Sequence, residues 1–346
     1  MKLLVSALEH SANIHLRALK KELSEDVKFI GIFEKELGEP IVDLSSLAIM
    51  GFVDAFKKLR FFFKLNSQMV DLAKEADKIL LIDSSGFNLP LAKKIKKKYP
   101  EKEIIYYILP QAWAWKKKRI PVLEKTVDTL ASILPFEKNY YSKNSHIEYV
   151  GHPLLDEIKD FKTTLSEHGK VVFMPGSRAG EIKKLMPLYK KVASKVNKQA
   201  VIVIPRHFTH KKIDELYGDL SQFIVTFDAH KALYEADEAF ICSGTATLEA
   251  ALIGTPFILT YKAKKLDYII AKSLVKLNYI GLSNIMFDKF KNRAMHVELV
   301  QNDVSVENML REYNNLDKND FLADSIELRD YLQSGSSKRL KDLIEL

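Results

Sequence analysis

Short apolar runs alternate with Lys- and Glu-rich amphipathic segments along the chain, and this alternation leaves few folds open. Leu3 to Ser6 precedes Ile14 to Leu23, Ile79 to Ile82 precedes Leu89 to Lys98, and Ile104 to Leu109 and Thr129 to Leu134 follow. That order implies βαβ units and a parallel sheet. The pattern restarts after Gly151-His152-Pro153 and a polar stretch to Gly169. Strand candidates then fall at Val171 to Met174, Ala200 to Ile204, Phe223 to Thr226, Glu238 to Ile241 and Phe257 to Thr260. The expected fold is α/β, with two Rossmann-like halves whose parallel sheets face a cleft, residues 1–163 and 164–320. Residues 321–346 read as short helices broken around Gly335, packing back on the N-terminal domain or on a second subunit, which leaves a homodimer open.

The bulk numbers agree with two cores: 346 residues, 47% hydrophobic, are enough for more than one globular domain. There are 53 Lys plus Arg against 45 Asp plus Glu, a net charge of +8. Such an excess favours an anionic partner, be it nucleotide, membrane or nucleic acid. Nucleic acid is the weakest of these, because the basic clusters Lys93 to Lys98, Lys116 to Arg119 and Lys183 to Lys191 match no nucleic-acid-binding pattern. A lone Cys242 excludes an internal disulfide framework, gives no support to a zinc site and fits a reducing cytoplasm. Met1 to Ala7 reads as a first strand rather than an export signal, since Glu9 and His10 end its short apolar run. Phe240 to Tyr261 carries glycines, Pro256, hydroxyls and Glu249, which argues against a membrane-spanning helix.

Two strand ends stand out. Phe240-Ile241-Cys242 runs into Ser243-Gly244-Thr245-Ala246-Thr247-Leu248-Glu249, and Val172-Phe173-Met174 runs into Pro175-Gly176-Ser177-Arg178. A strand that turns through small residues into a helix leaves backbone N–H groups for an anion, and Arg178 adds a guanidinium suited to phosphate. Two such turns in one half suggest a nucleotide diphosphate. In open parallel sheets ligands bind beyond the carboxyl ends of the strands, where Asp83 and the segment from Pro110 also fall.

Taken in order, the landmarks are Ser46 to Gly51, Ile82-Asp83-Ser84-Ser85-Gly86-Phe87-Asn88, Pro110-Gln111-Ala112-Trp113-Ala114-Trp115 through Arg119, and Leu134-Pro135-Phe136-Glu137. Gly151-His152-Pro153, Pro175 to Arg178, Ser243 to Glu249 and Leu282-Ser283-Asn284 complete them. Together they resemble the lipid-A-disaccharide synthase family, glycosyltransferases of the GT-B type, over most of the chain. The resemblance implies transfer of 2,3-diacylglucosamine from its UDP derivative to the 6-hydroxyl of 2,3-diacylglucosamine 1-phosphate (lipid X), with inversion and release of UDP. It implies a Gram-negative enzyme peripheral on the cytoplasmic face of the inner membrane. Other UDP-sugar enzymes on the same fold, a UDP-N-acetylglucosamine 2-epimerase or a cell-wall N-acetylglucosaminyltransferase, are the alternative.

An inverting transfer to a hydroxyl calls for a general base. Asp83 is the expected one, at a strand end and in the first acidic position of the family's Asp-x-Pro-Asp-Phe-Asn motif; a helix-capping role is the competing reading. No two Asp lie at i, i+2, so the Asp-x-Asp metal site is absent and no metal or other cofactor is expected. Arg178 and the backbone around Gly176, Ser177, Ser243, Gly244 and Thr245 are then expected to hold the departing diphosphate. Glu249 resembles the carboxylate that related folds use for ribose hydroxyls, against a plain helix-surface charge. Glu9, Ser11, Asn88, Gln111 and Asn284 are the expected substrate contacts, a turn-forming role competing for Asn284. Trp113 and Trp115 either stack on substrate or pack internally.

Two departures from the family pattern matter. Where the family has Gly-Glu-x-Ser-Gly-Asp this chain has Leu8-Glu9-His10-Ser11-Ala12-Asn13, losing both glycines. Gly86 replaces the later acid of the Asp motif and so removes the nearest rival to Asp83. Finally, Met50, Phe52, Val53, Phe56, Leu59, Phe61, Phe62 and Phe63 interleave with Lys57, Lys58, Arg60 and Lys64. The stretch reads as a face for an anionic membrane that holds acylated substrates, or as an amphipathic core helix.

Overall fold

A computed structural model describes residues 1–43, 55–114, 116–262 and 278–346; the side chains of residues 43 and 55–59 are also outside the description. The chain forms two compact units, residues 1–156 with 332–346, and residues 157–331. Every strand expected from the apolar runs is present.

Unit 1 holds a seven-stranded sheet of β1 (Lys2–Ser6), β2 (Lys28–Phe33), β3 (Val42–Asp43), β4 (Lys78–Ile82), β5 (Glu103–Tyr107), β6 (Thr129–Ser132) and β7 (Ile147–Tyr149), ordered β3-β2-β1-β4-β5-β6-β7. All pairings are parallel. A strand alternates its side chains between faces, and both faces here are covered. Leu4, Ile79, Leu81 and Tyr106 pack under the helices Ala55–Leu72 and Ser85–Lys98. Leu3, Val5, Leu80 and Tyr107 pack under His10–Glu22 and the last helix, Ser336–Glu345. The continuous apolar runs that mark these strands follow from that two-sided burial.

Unit 2 holds β8 (Lys170–Met174), β9 (Gln199–Val203), β10 (Ile224–Thr226), β11 (Glu238–Cys242), β12 (Phe257–Tyr261) and β13 (Glu298–Val300), ordered β10-β9-β8-β11-β12-β13 and again parallel throughout. Its core stacks Phe173 on Phe240 at 5.4 Å beneath Tyr189 and Ile182 of the helix Ala179–Ala193.

The unit boundaries fall at 156 and 331, where the sequence suggested 163 and 320. Lys162 belongs to unit 2 because its N–H donates to Ile253 O at 2.8 Å. The expected C-terminal segment 321–346 is divided. Phe321 packs edge-on against Phe257, and Asp324 accepts from both terminal nitrogens of Arg293, so most of the helix Lys318–Leu332 is held in unit 2. Leu340 and Ile344 of the last helix are buried in unit 1.

Candidate active site

Each sheet reverses its winding once, and those reversals hold the candidate chemistry. In unit 1 the reversal lies between β1 and β4; in unit 2, between β8 and β11. Chains leave such neighbouring strands toward opposite faces, opening a crevice at their carboxyl ends.

Asp83 is the first residue past β4. It and Ser84 both have left-handed backbones, φ 49° and 40°, and Ile108, past the neighbouring β5, has φ 60°. Non-glycine residues adopt this geometry at a cost, and a β-branched one such as isoleucine rarely does, so the surroundings must impose it. They do. Asp83 N–H donates to Tyr107 O at 3.0 Å, while Asp83 O accepts from Tyr106 Oη at 2.5 Å and Asn88 Nδ2 at 2.9 Å. Asn88 Nδ2 also donates to Ile82 O, and its Oδ1 accepts from Ser6 Oγ at 2.6 Å.

With its main chain tied, Asp83 presents a half-buried carboxyl. Burial raises its pKa above the ordinary aspartate value; the Glu9 carboxylate adds to the rise, while the Ser84 amide and His15 oppose it. A carboxylate so shifted is a better proton acceptor than a free one. Glu9, exposed at the start of the helix His10–Glu22, accepts from Ser84 Oγ at 3.2 Å. Loss of the acid at Gly86 therefore leaves Asp83 with another carboxylate nearby, brought across the sheet from β1.

Asn88 lies beneath this turn. Expected to touch substrate, it is fully buried, and both ends of its amide bond within the protein, one of them to the Asp83 carbonyl. Ser11 and Gln111 are exposed, on the first turn of the helix His10–Glu22 and in the turn after β5. The amide at the end of the divergent first loop has a structural reason. Asn13 Nδ2 donates to Ala7 O and Glu9 O, both at 2.8 Å, and its Oδ1 accepts from Glu34 N–H. A carboxylate, which only accepts, would set oxygens against those two carbonyls. Trp113 is buried on Phe136 at 4.9 Å, which is internal packing; Trp115 lies outside the described residues. Next along from Phe136, Glu137 is buried, its Oε2 accepts from Ser132 Oγ at 2.5 Å, and burial pushes its pKa up to about 8.

In unit 2 the turn after β8 places Gly176 at φ 95°, where an added Cβ would lie 2.7 Å from Glu181 Oε2. Ser177 and Arg178 are exposed, and Arg178 precedes the helix Ala179–Ala193. Arg178 also makes an ion pair: its Nη1 donates to Glu181 Oε1 at 3.1 Å, with the arginine side chain 79% exposed. Its neighbour, the turn after β11, carries Gly244 at φ 154°, and nothing lies within 4 Å of where a Cβ would stand. Gly244 and Thr245 are exposed at the start of the helix Thr245–Ile253. Amides at the N-termini of these two helices, with a cation beside them, suit a diphosphate. Ser243 Oγ donates to Ile280 O at 3.1 Å, and Glu249 Oε2 lies 3.4 Å from His230 Nε2.

Asn284, expected as a substrate contact with a turn-forming role competing, is similarly enclosed. It is fully buried; Nδ2 donates to His296 O and Glu298 Oε1, and Oδ1 accepts from Met295 and His296 N–H. These bonds tie the first turn of the helix Leu282–Lys291 to the segment Met295 to Glu298. His152 is a buried hydrogen-bonder whose Nδ1 accepts from Leu154 N–H, with a pKa that burial lowers to about 3. Of the proposed membrane stretch, residues 50–54 lie outside the described residues. Phe61 and Phe62 rest half-buried against the unit 1 core, while Phe63, Arg60 and Lys64 are exposed. Sequence reading missed Glu181 and His230. Glu181 had a signal, its i, i+3 spacing from Arg178; His230 had none, since Glu249 lies on a different helix.

The sequence pattern of the family described as lipid-A-disaccharide synthetase matches residues 3–341. The chain is 50% identical over 351 residues to a lipid-A-disaccharide synthase of Helicobacter pylori (strain Shi470), covering 98% of this chain and 96% of that protein. Among solved structures it resembles the calicheamicin glycosyltransferase CalG4, with TM-score 0.62, 12% identity and 99% and 97% of the two chains covered. It also resembles UDP-GlcNAc 2-epimerase from Neisseria meningitidis bound to UDP-GlcNAc, with TM-score 0.59, 13% identity and full coverage of both chains. Those two likenesses fix the GT-B fold, which transferases and epimerases share, and sequence identity separates the two: the chain belongs to the lipid-A-disaccharide synthase family.

Proposed function

We propose that the chain is the hexosyltransferase that joins 2,3-diacylglucosamine from UDP-2,3-diacylglucosamine to the 6-hydroxyl of lipid X, releasing UDP with inversion. Membership of the family carries the activity; the assignment of residues rests on the two winding reversals. In the direct displacement, Asp83 accepts the proton of the acceptor hydroxyl as its oxygen attacks the anomeric carbon and the bond to the β-phosphate breaks. The single observation that supports Asp83 most is a half-buried carboxyl of raised pKa on a left-handed backbone clamped at three points. Arg178 and the amides of the Gly176–Ser177 and Gly244–Thr245 turns receive the charge on departing UDP, and Glu249 takes the ribose hydroxyls. Fixed donors of this kind act without a divalent cation.

Acyl chains resist leaving a bilayer, each buried methylene favouring burial by about 0.8 kcal/mol, so the enzyme is proposed to work at the cytoplasmic surface of the inner membrane. Exposed Phe63, Arg60 and Lys64 on one helix, beside exposed Lys93, Lys94 and Lys97 on the next, offer an apolar and cationic face for anionic lipid. No helix among the described residues is long and apolar enough to cross a membrane. The test is a product assay with diacylated donor and acceptor, with and without chelator. Disaccharide and UDP should form equally in both; activity lost to EDTA and restored by magnesium would overturn the metal-free reading.

A further inference from the structure

The carboxylate proposed for the donor ribose is not alone. Glu249 lies one helical turn beyond Thr245, and its Oε2 is 3.4 Å from Nε2 of His230, on the helix Ala229–Tyr234. The imidazole is 38% exposed and the carboxylate 18%, so the pair is reachable from solvent without being a freely solvated contact. From this geometry we infer that His230 is a positioning residue for the donor nucleotide: it engages one oxygen of Glu249 and leaves the other to accept from the ribose hydroxyls. The inference rests on the reading that Glu249 takes the ribose.

Three carboxylates act on the ring. Glu249 reaches it from the helix Thr245–Ile253, Asp228 from the cap of its own helix and Glu157 from the start of unit 2; Arg206 lies 3.9 Å from Asp228. The Glu249 carboxylate beside it raises the His230 pKa above its ordinary value of 6.5, burial opposes the rise, and the charges of Asp228 and Glu157 add to it. The cationic ring therefore persists nearer neutrality than in a free histidine. The ion pair at 3.4 Å holds the carboxylate more firmly than a neutral ring would. The imidazolium also offsets a negative charge that would otherwise repel the diphosphate. Both effects have one sign: the nucleotide binds tighter when His230 is protonated and weaker as pH rises through its pKa.

The test compares UDP with 2′,3′-dideoxy-UDP on the full chain by calorimetry between about pH 6 and about pH 8.5, because titration of the diphosphate cancels in the ratio of the two affinities. That ratio should fall roughly five- to tenfold across the range. His230→Arg, a permanent cation, should hold the ratio high at both ends, and His230→Gln should hold it low at both. In turnover, His230→Gln should raise donor KM by more than it lowers kcat. A ratio that is flat with pH in the wild type, yet collapses in Glu249→Gln, would overturn the role of His230 and leave the ribose reading standing. A ratio near one at every pH, unmoved by Glu249→Gln, would remove the ribose reading and the role of His230 together.

Discussion

The two winding reversals share one topology and carry opposite chemistry. In unit 1 the turn past β4 spends its left-handed backbone on Asp83, half-buried, clamped by Tyr106, Tyr107 and Asn88, with a second carboxylate beside it. In unit 2 the turns past β8 and β11 carry positive-φ glycines next to helix N-termini, with an exposed guanidinium alongside. A base gains proton affinity from burial and negative neighbours; an anion site needs close backbone approach and positive potential. The fold thus supplies two similar crevices, and side chains at the strand ends decide what each does.

The comparison breaks most visibly at Asp83. Asp83→Asn should lower kcat by roughly 10²–10⁴ while UDP affinity stays near that of the wild type, measured by steady-state assay and titration. It should also raise the melting temperature. A carboxyl whose pKa is raised in the folded state adds stability below the unfolded value of 3.8, and that stability is lost as pH rises through the folded pKa, so ionised Asp83 is a cost at neutral pH. The left-handed backbone also suits asparagine.

Arg178→Ala should act on the other crevice, weakening UDP about tenfold or more, as loss of a hydrogen bond to a charged group does, and slowing transfer with it. Unchanged UDP affinity would reduce Arg178 to the partner of Glu181. Next in size is Asn88→Ala. Leaving Ser6 Oγ and two backbone carbonyls without their buried partner should destabilise the chain by about 1–3 kcal/mol and lower kcat without moving UDP affinity, read by denaturant unfolding and assay. A stable variant with weakened acceptor binding would return Asn88 to the substrate. The smallest effect sharpens the electrostatics. Raised above 3.8, the Asp83 pKa sets an acid limb in kcat/KM above the ordinary aspartate value, and Glu9→Gln should move that limb to lower pH.

Much of this was legible in the chain because buried parallel strands leave continuous apolar runs. The strands that left no clear run are β2, β3, β7 and β13. β3 and β13 are edge strands of two and three residues, β7 is an edge strand with one buried residue, and β2 is interrupted by Gly31. Site turns were legible because glycine, serine and arginine at strand ends have few uses. The sequence could not separate residues that face a ligand from those that hold the turn. Asn88 and Asn284 have the composition of substrate contacts and the burial of clamps, a distinction that depends on where Ser6, Ile82, His296 and Glu298 lie in space. His230 was hidden for the same reason.

The central claim is a division of labour, with proton transfer at the reversal in unit 1 and nucleotide binding at that in unit 2. The most direct measurement sets kcat at saturating donor beside UDP affinity for Asp83→Asn and Arg178→Ala in parallel preparations. The first variant should lose turnover and keep UDP, while the second should lose UDP affinity. Loss of UDP affinity in Asp83→Asn, with turnover retained at saturation, would contradict it.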